Sequence, residues 1–453
     1  MPVAALALDL LLSGGQVWDG TGAPVHRADV LIHEHEIVAV GDASGWSLPA
    51  GVLVLDVSGA TVLPGLVDGH VHISMDPGVA FRAETPDEHE AALDHHLAAY
   101  LACGVTTILD PAIVPAELDL VRAHLAAGGA APHFLTLGTP LSPQGGYVSV
   151  VIPAFPSVAT VADVEAALDR VVAQGAVGVK TTVENGFGAP IWPLYPTALR
   201  AAIKAGAAAR GLPVYSHAMS PHSQRIAIEH LGARVLVHPL SRPAPRLVAV
   251  AAEHHVYEMS TLAILDSFRT GWEPERLDDP LIQGVVPQVE IATARDPENV
   301  RGFERQFAKT NFPHFPPVGL VDWFVFREST IRTRLGHEMA ALRELARAGV
   351  GIVMGSDSGN WPVILSEFHG PTSIRELELL GEAGFSNAEV LTAATVTPAR
   401  MLGLEATEGT VQAGRIADLV VVDGDPLTDL GALRHVRYTV RAGEARTPSG
   451  WLH

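Results

Sequence analysis

The chain opens with short apolar runs broken by turn signals. Positions 10–12 and 16–18 flank Ser13-Gly14-Gly15, positions 30–32 and 37–40 flank a polar His-Glu-His-Glu, and positions 52–55 and 61–63 flank Ser58-Gly59. Runs this short, with no 3.6-residue period, predict β-strands. From about residue 63 the rhythm changes. Apolar runs at 66–72, 105–109, 134–137, 177–180, 214–217, 235–238, 256–259 and 351–354 alternate with Ala/Leu/Arg-rich segments of helical period. Those segments include 163–174, 197–210, 331–348 and 386–402, the last opened by a Ser386…Glu389 capping box. Strand-like runs separated by helices predict an α/β fold, a parallel (β/α)8 TIM barrel. An open doubly wound sheet is the alternative, but the first βα turn lacks the glycine-rich phosphate fingerprint. After about residue 405 the texture is β-like again, at 418–423 and 436–440 around Gly424-Asp425-Pro426. The two ends resemble each other and not the middle. Residues 1–62 plus 406–453 are therefore expected to build a small β-sandwich, with the barrel, 63–405, inserted in it.

Composition narrows the function classes. Of 453 residues, 48% are apolar and 18% charged, a globular balance, while 30 Lys+Arg against 50 Asp+Glu leave a net charge of −20. Nucleic acid and anionic membrane would be repelled, which leaves a small-molecule substrate as the expected partner. No stretch reaches the roughly 20 unbroken apolar residues of a membrane span. The start has a short apolar run, but no basic flank precedes it and Asp9 interrupts it. A cytoplasmic protein and a homo-oligomer are the expectations. A single cysteine, Cys103, excludes an internal disulfide and a thiolate metal cluster, so a metal site would need the 21 histidines and the carboxylates.

The strongest local signal is Gly65-Leu-Val-Asp-Gly-His70-Val-His72, an apolar strand ending in His-x-His. Alternation puts both imidazoles on one face, and at the C-terminal end of a barrel strand that face looks into the mouth. Two neutral imidazoles there suit a divalent ion. His33-Glu-His35 has the same spacing but sits in a polar hairpin turn and reads as a solvated tip. The adjacent pairs His95-His96 and His254-His255 diverge on a helix or strand and read as surface residues. Three later runs end in the same kind of residue: Val214-Tyr-Ser-His217, Val235-Leu-Val-His238 and Gly351-Ile-Val-Met-Gly-Ser-Asp357.

His70-x-His72, His217, His238 and Asp357, in that order on strands 1, 5, 6 and 8, resemble the metal-dependent amidohydrolase superfamily, in particular its imidazolonepropionase-like and prolyl dipeptidase-like branch. The entry motif Pro64-Gly-Leu-Val-Asp-Gly-His70, Thr395-Val-Thr-Pro398-Ala-Arg400 and the tail Gly409-Thr-Val-Gln-Ala-Gly414-Arg-Ile-Ala417-Asp418-Leu419 are similar to it as well. The resemblance implies two divalent metal ions, with zinc the expected metal. It also implies a carboxylated Lys180 on strand 4 bridging them, because a bare lysine cation beside metals would be repelled. His70, His72 and Asp357 would hold the buried ion and His217 and His238 the outer one. A hydroxide bridging the metals would be the nucleophile, with Asp357 as general acid/base. The activity implied is hydrolysis of an amide-type bond in an N-acyl amino acid, dipeptide or aryl amide. A mononuclear deaminase or cyclic-imide hydrolase, or a lactonase or esterase, is the alternative.

Tyr147 stands where relatives in that branch often carry a histidine and could donate to a developing oxyanion. Met219, where a second histidine is common, suggests a more apolar pocket. Asn185, Phe187 and His369 lie on loops expected to face substrate. The excess length at about 265–329 contains Trp272, Phe303, Phe307, Phe312, Phe315, Trp323, Phe324 and Phe326, an aromatic concentration that predicts a lid over an apolar substrate or a dimer contact.

Overall fold

A computed structural model describes residues 9–73, 85–152, 154–186, 191–311, 325–359 and 366–453. The ends of the chain share one sheet. Strand Ala60–Pro64 pairs antiparallel with Leu419–Asp423, and the sheet continues through Val436–Arg441 and Glu444–Arg446 on one side and Gln16–Val17 and His26–Arg27 on the other. A second, four-stranded sheet is built from Asp9–Ser13, Asp29–His33, Glu36–Gly41 and Leu53–Asp56. Leu10, Leu12, Val30, Ile32, Val62, Leu419 and Val421 form a buried cluster drawn from both sheets. Alternate positions of each strand contribute to it, as the period of two requires.

The barrel strands are β1 (Leu66–Asp68), β2 (Val105–Asp110), β3 (His133–Thr136), β4 (Val179–Thr182), β5 (Val214–His217), β6 (Ala233–Val237), β7 (Tyr257–Met259) and β8 (Gly351–Val353). All neighbours pair in parallel, in two arcs: β1–β3 in one and β4–β8 in the other. The continuous closed ladder expected from the sequence is absent among the described residues. Instead, single contacts span the two seams. Isolated parallel bridges join Val71 to Ser358 and Leu141 to Thr181, and the Val177 N–H donates to the Thr136 carbonyl at 2.9 Å. Along β6 the side chains sort by parity. Val235 and Val237 pack inward with Leu109, Tyr215, Met259 and Val353, while Leu236 joins the layer under the helices.

One expected helix is two. Ser386 caps Asn387–Ala393 with the reciprocal Glu389 contact foreseen, but the helix stops there and a second begins at Val396. Pro398 has no N–H for the Ala394 carbonyl. That carbonyl accepts instead from Val67 N–H at 2.7 Å, and the Ala393 carbonyl from Met354 N–H at 2.8 Å. The break thus ties the helix to β1 and to the end of β8. No helix among the described residues is long and apolar enough to cross a membrane.

Candidate active site

The backbone of the β1–β8 seam places the first three candidate ligands. His72 N–H donates to Ser358 O, and Asp357 N–H donates to His70 O, both at 2.8 Å. Beneath them lies Asp68. Its Oδ1 accepts from His70 N–H at 3.2 Å and Ser356 N–H at 3.0 Å, and its Oδ2 accepts from Ser373 Oγ at 2.6 Å. Asp357 and His238 both hold positive φ, 58° and 74°, unusual for residues with a Cβ and a form of strain that clusters at functional sites.

The side chains converge. His70 Nε2 and His72 Nε2 lie 3.1 and 3.0 Å from Asp357 Oδ1, and His238 Nδ1 lies 3.7 Å from Asp357 Oδ2. His70, His72 and Asp357 each offer a donor atom within 4.8 Å of the others, and all three are buried. His217 stands beside them, its ring 4.5 Å from that of His238 and 5.2 Å from that of Tyr147. His217 and His238 do not complete a second group of three His, Cys or carboxylate donors among the described residues. Lys180, on β4, lines the same cavity.

Burial sets the protonation states. It pushes His70 and His217 down to about 3, assisted by the Lys180 charge, and takes His238 well below its usual value. These imidazoles are neutral at pH 7 and present lone pairs. Burial alone would raise the Asp357 carboxyl, but its interaction with His70 and the hydrogen bond from His72 outweigh burial and hold it well below the usual range. Burial likewise brings Lys180 down to about 7, against the pull of Asp357 and Asp110.

This donor set fits a divalent cation. The His70 and His72 Nε2 atoms face one Asp357 oxygen, and the buried His217 Nε2 beside them has no hydrogen-bond partner among the described residues. Neutral imidazoles beside one ionised carboxylate are the ligands zinc and similar ions take.

A cavity of about 1050 Å³, open mouth included, rises from this floor. Tyr147 and Met219 line it, with Val148, Ile152 and Phe155 near Tyr147. From the long segment after β7 come Leu265, Phe268, Val325, Phe326 and Ile331. Asn185 and His369 are not among the lining residues. The Asn185 carbonyl accepts from Ile191 and Trp192 N–H at 2.7 and 3.1 Å, which holds its loop to itself. His369 is buried behind the site, with Tyr100 Oη 2.9 Å from its Nδ1 and the His96 ring 4.2 Å away. Phe187, Phe312, Phe315, Trp323 and Phe324 lie outside the described residues.

Two residues here, His95 and His96, carried no sequence signal for the place they take. His96, expected at the surface, is buried with its Nε2 3.0 Å from Glu290 Oε1, and neighbouring His95 reaches the Val285 carbonyl at 2.8 Å. Glu184 accepts from Gly186 N–H at 2.8 Å and lies 3.9 Å from His217. The hairpin reading of His33-Glu-His35 holds: Glu34 and His35 form the exposed turn between two strands.

The sequence profile of the Amidohydrolase family matches residues 61–446. Among curated proteins, a D-aminoacylase from Alcaligenes xylosoxydans xylosoxydans is 44% identical over 64 residues, 14% of this chain and 13% of that protein. A 5-methylthioadenosine/S-adenosylhomocysteine deaminase from Natronomonas pharaonis is 26% identical over 96% of this chain and 90% of its own length. Among solved structures, a Xaa-Pro dipeptidase with bound methionine superposes with a TM-score of 0.73 at 20% identity, covering 97% of this chain and 100% of its own. Ochratoxinase from A. niger gives 0.72 at 17% identity, covering 98% of each chain. These two likenesses speak to the fold.

Proposed function

This chain belongs to the amidohydrolase family, and on that premise we propose that it hydrolyses an amide-type C–N bond in a small molecule such as an N-acyl amino acid, a dipeptide or an aryl amide. The observation that carries the reading is the convergence of two imidazoles on one buried carboxylate at the floor of a largely apolar cavity. His70, His72 and Asp357 would hold one divalent ion. His217 and His238 would hold a second, with Lys180 between them as a carbamate. The unpartnered His217 nitrogen supports the second position. Burial of Lys180 supports the carbamate, because only the neutral amine takes up CO2 and this site favours that form. Bound there, divalent ions supply Lewis acidity and a water acidic enough to attack at neutral pH.

The chain's own groups do the rest. Asp357, held ionised, accepts the proton released as water attacks and returns it to the leaving nitrogen. Tyr147 is half-buried in the cavity wall, and the desolvation there raises its hydroxyl above the ordinary value and keeps its proton in place for donation to the carbonyl oxygen. The apolar walls keep bulk water from the reacting bond. The test is a panel of N-acyl amino acids, dipeptides and aryl amides, run on zinc-loaded and chelator-treated protein. Hydrolysis lost on chelation and restored by metal is expected; inactivity of the loaded protein across the panel would refute the proposal.

A further inference from the structure

The cavity holds one feature that the hydrolytic reading does not use. Arg334, half-buried on the helix Glu328–Arg347, lines it one turn along from Ile331. The wall around this stretch is Phe268, Val325, Phe326 and Ile331. The other charged lining residues, Lys180 and Asp357, belong to the catalytic floor. The Arg334 guanidinium makes no hydrogen bond or ion pair with any described residue. Its helical neighbour Glu338 feels its charge but does not neutralise it. Glu338 is buried, and burial pushes its carboxyl up to about 8, so at neutral pH it is mostly uncharged. Arginines elsewhere in this segment are paired: Arg332 with Glu328 and Glu273, and Arg269 with Asp266 and Glu273. With no partner among the described residues and apolar walls on its cavity side, this half-buried guanidinium has given up part of its water without gaining a counter-charge.

We infer that Arg334 is a specificity residue that receives a substrate carboxylate, so that the substrate is an amide with an apolar body and one anionic end, of the N-acyl amino acid class. The guanidinium fork matches a carboxylate in two parallel hydrogen bonds. A single cation balances a single negative charge, whereas a phosphate would leave excess charge against apolar walls. The protein's net charge of −20 repels anions in general, so selection of one needs a local cation inside the cavity. The apolar lining takes the acyl group and side chain. No motif or spacing in the sequence marks such a clamp. This inference rests on the hydrolytic reading and sharpens its substrate class.

The experiment compares N-benzoylphenylalanine, each enantiomer, with N-(2-phenylethyl)benzamide, the same molecule without its carboxylate. Wild type is expected to prefer the acid in kcat/KM by about 10- to 150-fold, the range for hydrogen bonds to a charged group. Arg334→Met should remove most of that preference, mainly through KM for the acid. Arg334→Lys, which keeps the charge but not the fork, should fall between. Equal loss on both compounds in Arg334→Met, or no preference in wild type, would overturn the assignment. If zinc-loaded wild type cleaves neither compound, the hydrolytic reading is judged separately on its own panel and binding reads the clamp. Calorimetric binding of N-benzoylphenylalanine then decides: weaker binding to Arg334→Met than to wild type supports the clamp, and equal binding overturns it.

Discussion

Asp68 offers a sharp test of how the site is supported. Its carboxylate is fully buried and accepts two backbone N–H groups, those of His70 and Ser356, on one oxygen. Asp68→Ala would strand both donors. A buried donor without a partner costs about 1–3 kcal/mol, so the loss should be about 4 kcal/mol. Asp68→Asn keeps the accepting oxygen, and its amide can donate to the Ser373 hydroxyl that now donates to Oδ2. The charge itself is a burden here. Burial raises the Asp68 pKa from 3.8 to about 6, against the hydrogen bonds that lower it. A raised carboxyl pKa contributes stability that is complete below the unfolded value and is lost as pH rises through about 6; the shift corresponds to about 3 kcal/mol. Asn carries no such penalty. Urea unfolding of metal-free protein at pH 4.5 and 7.5 is the assay. Asp68→Asn should gain on wild type between the two values, while Asp68→Ala is destabilised at both. If Asn costs as much as Ala, or if its difference from wild type does not change with pH, the account of Asp68 as a neutral-tolerant acceptor is wrong.

Asp357→Asn should lower kcat by about a thousandfold and reduce metal content, read by steady-state kinetics beside elemental analysis; full metal and full rate together would contradict its double role. Lys180→Ala should take the metal content from about two ions per chain towards one and abolish the carbamate carbon signal in 13C NMR after labelled bicarbonate. Unchanged stoichiometry would remove Lys180 as a bridge. Asp266, 1% exposed, binds Arg269 at 2.8 Å and Arg375 at 2.8 Å, with Arg276 also in contact. Burial opposes its ionisation, but these guanidiniums prevail and lower its pKa. Its contribution is therefore present above the unfolded value of about 3.9 and fades as pH falls through the lower folded one. Asp266→Ala should cost about 3–5 kcal/mol at pH 7 and less in acid; a loss independent of pH would deny the ion-pair origin.

The site was legible where strand geometry alone fixes direction. His217 ends its strand and His70, His72, His238 and Asp357 lie just beyond theirs, where the C-terminal rim of a barrel decides what a side chain faces, whereas Lys180 sits inside β4 and was singled out by the family resemblance. Residues whose partners come from far along the chain were not. His96 looked like one of an adjacent surface pair because Glu290 stands 194 positions away. Arg334 is one polar position on a helix of amphipathic period, and only that helix's place beside the cavity gives it an apolar setting. The break at Thr395 follows from a proline whose i−4 carbonyl is needed elsewhere, a tertiary fact in part. The expected ladder closure failed for a similar reason, since a ladder depends on local register at each seam.

The pairing of Ala60–Pro64 with Leu419–Asp423 has a consequence for synthesis. Thr61 Oγ1 donates to the Gly424 carbonyl across 363 positions, so a strand made early must wait for one made very late. At ribosomal speeds of about 5–20 residues per second, the early strand spends tens of seconds with an open edge. Its exposed N–H and C=O groups are a template for a wrong partner during that time. Nascent chains of this protein should therefore depend on holdase chaperones until the late strand emerges and docks.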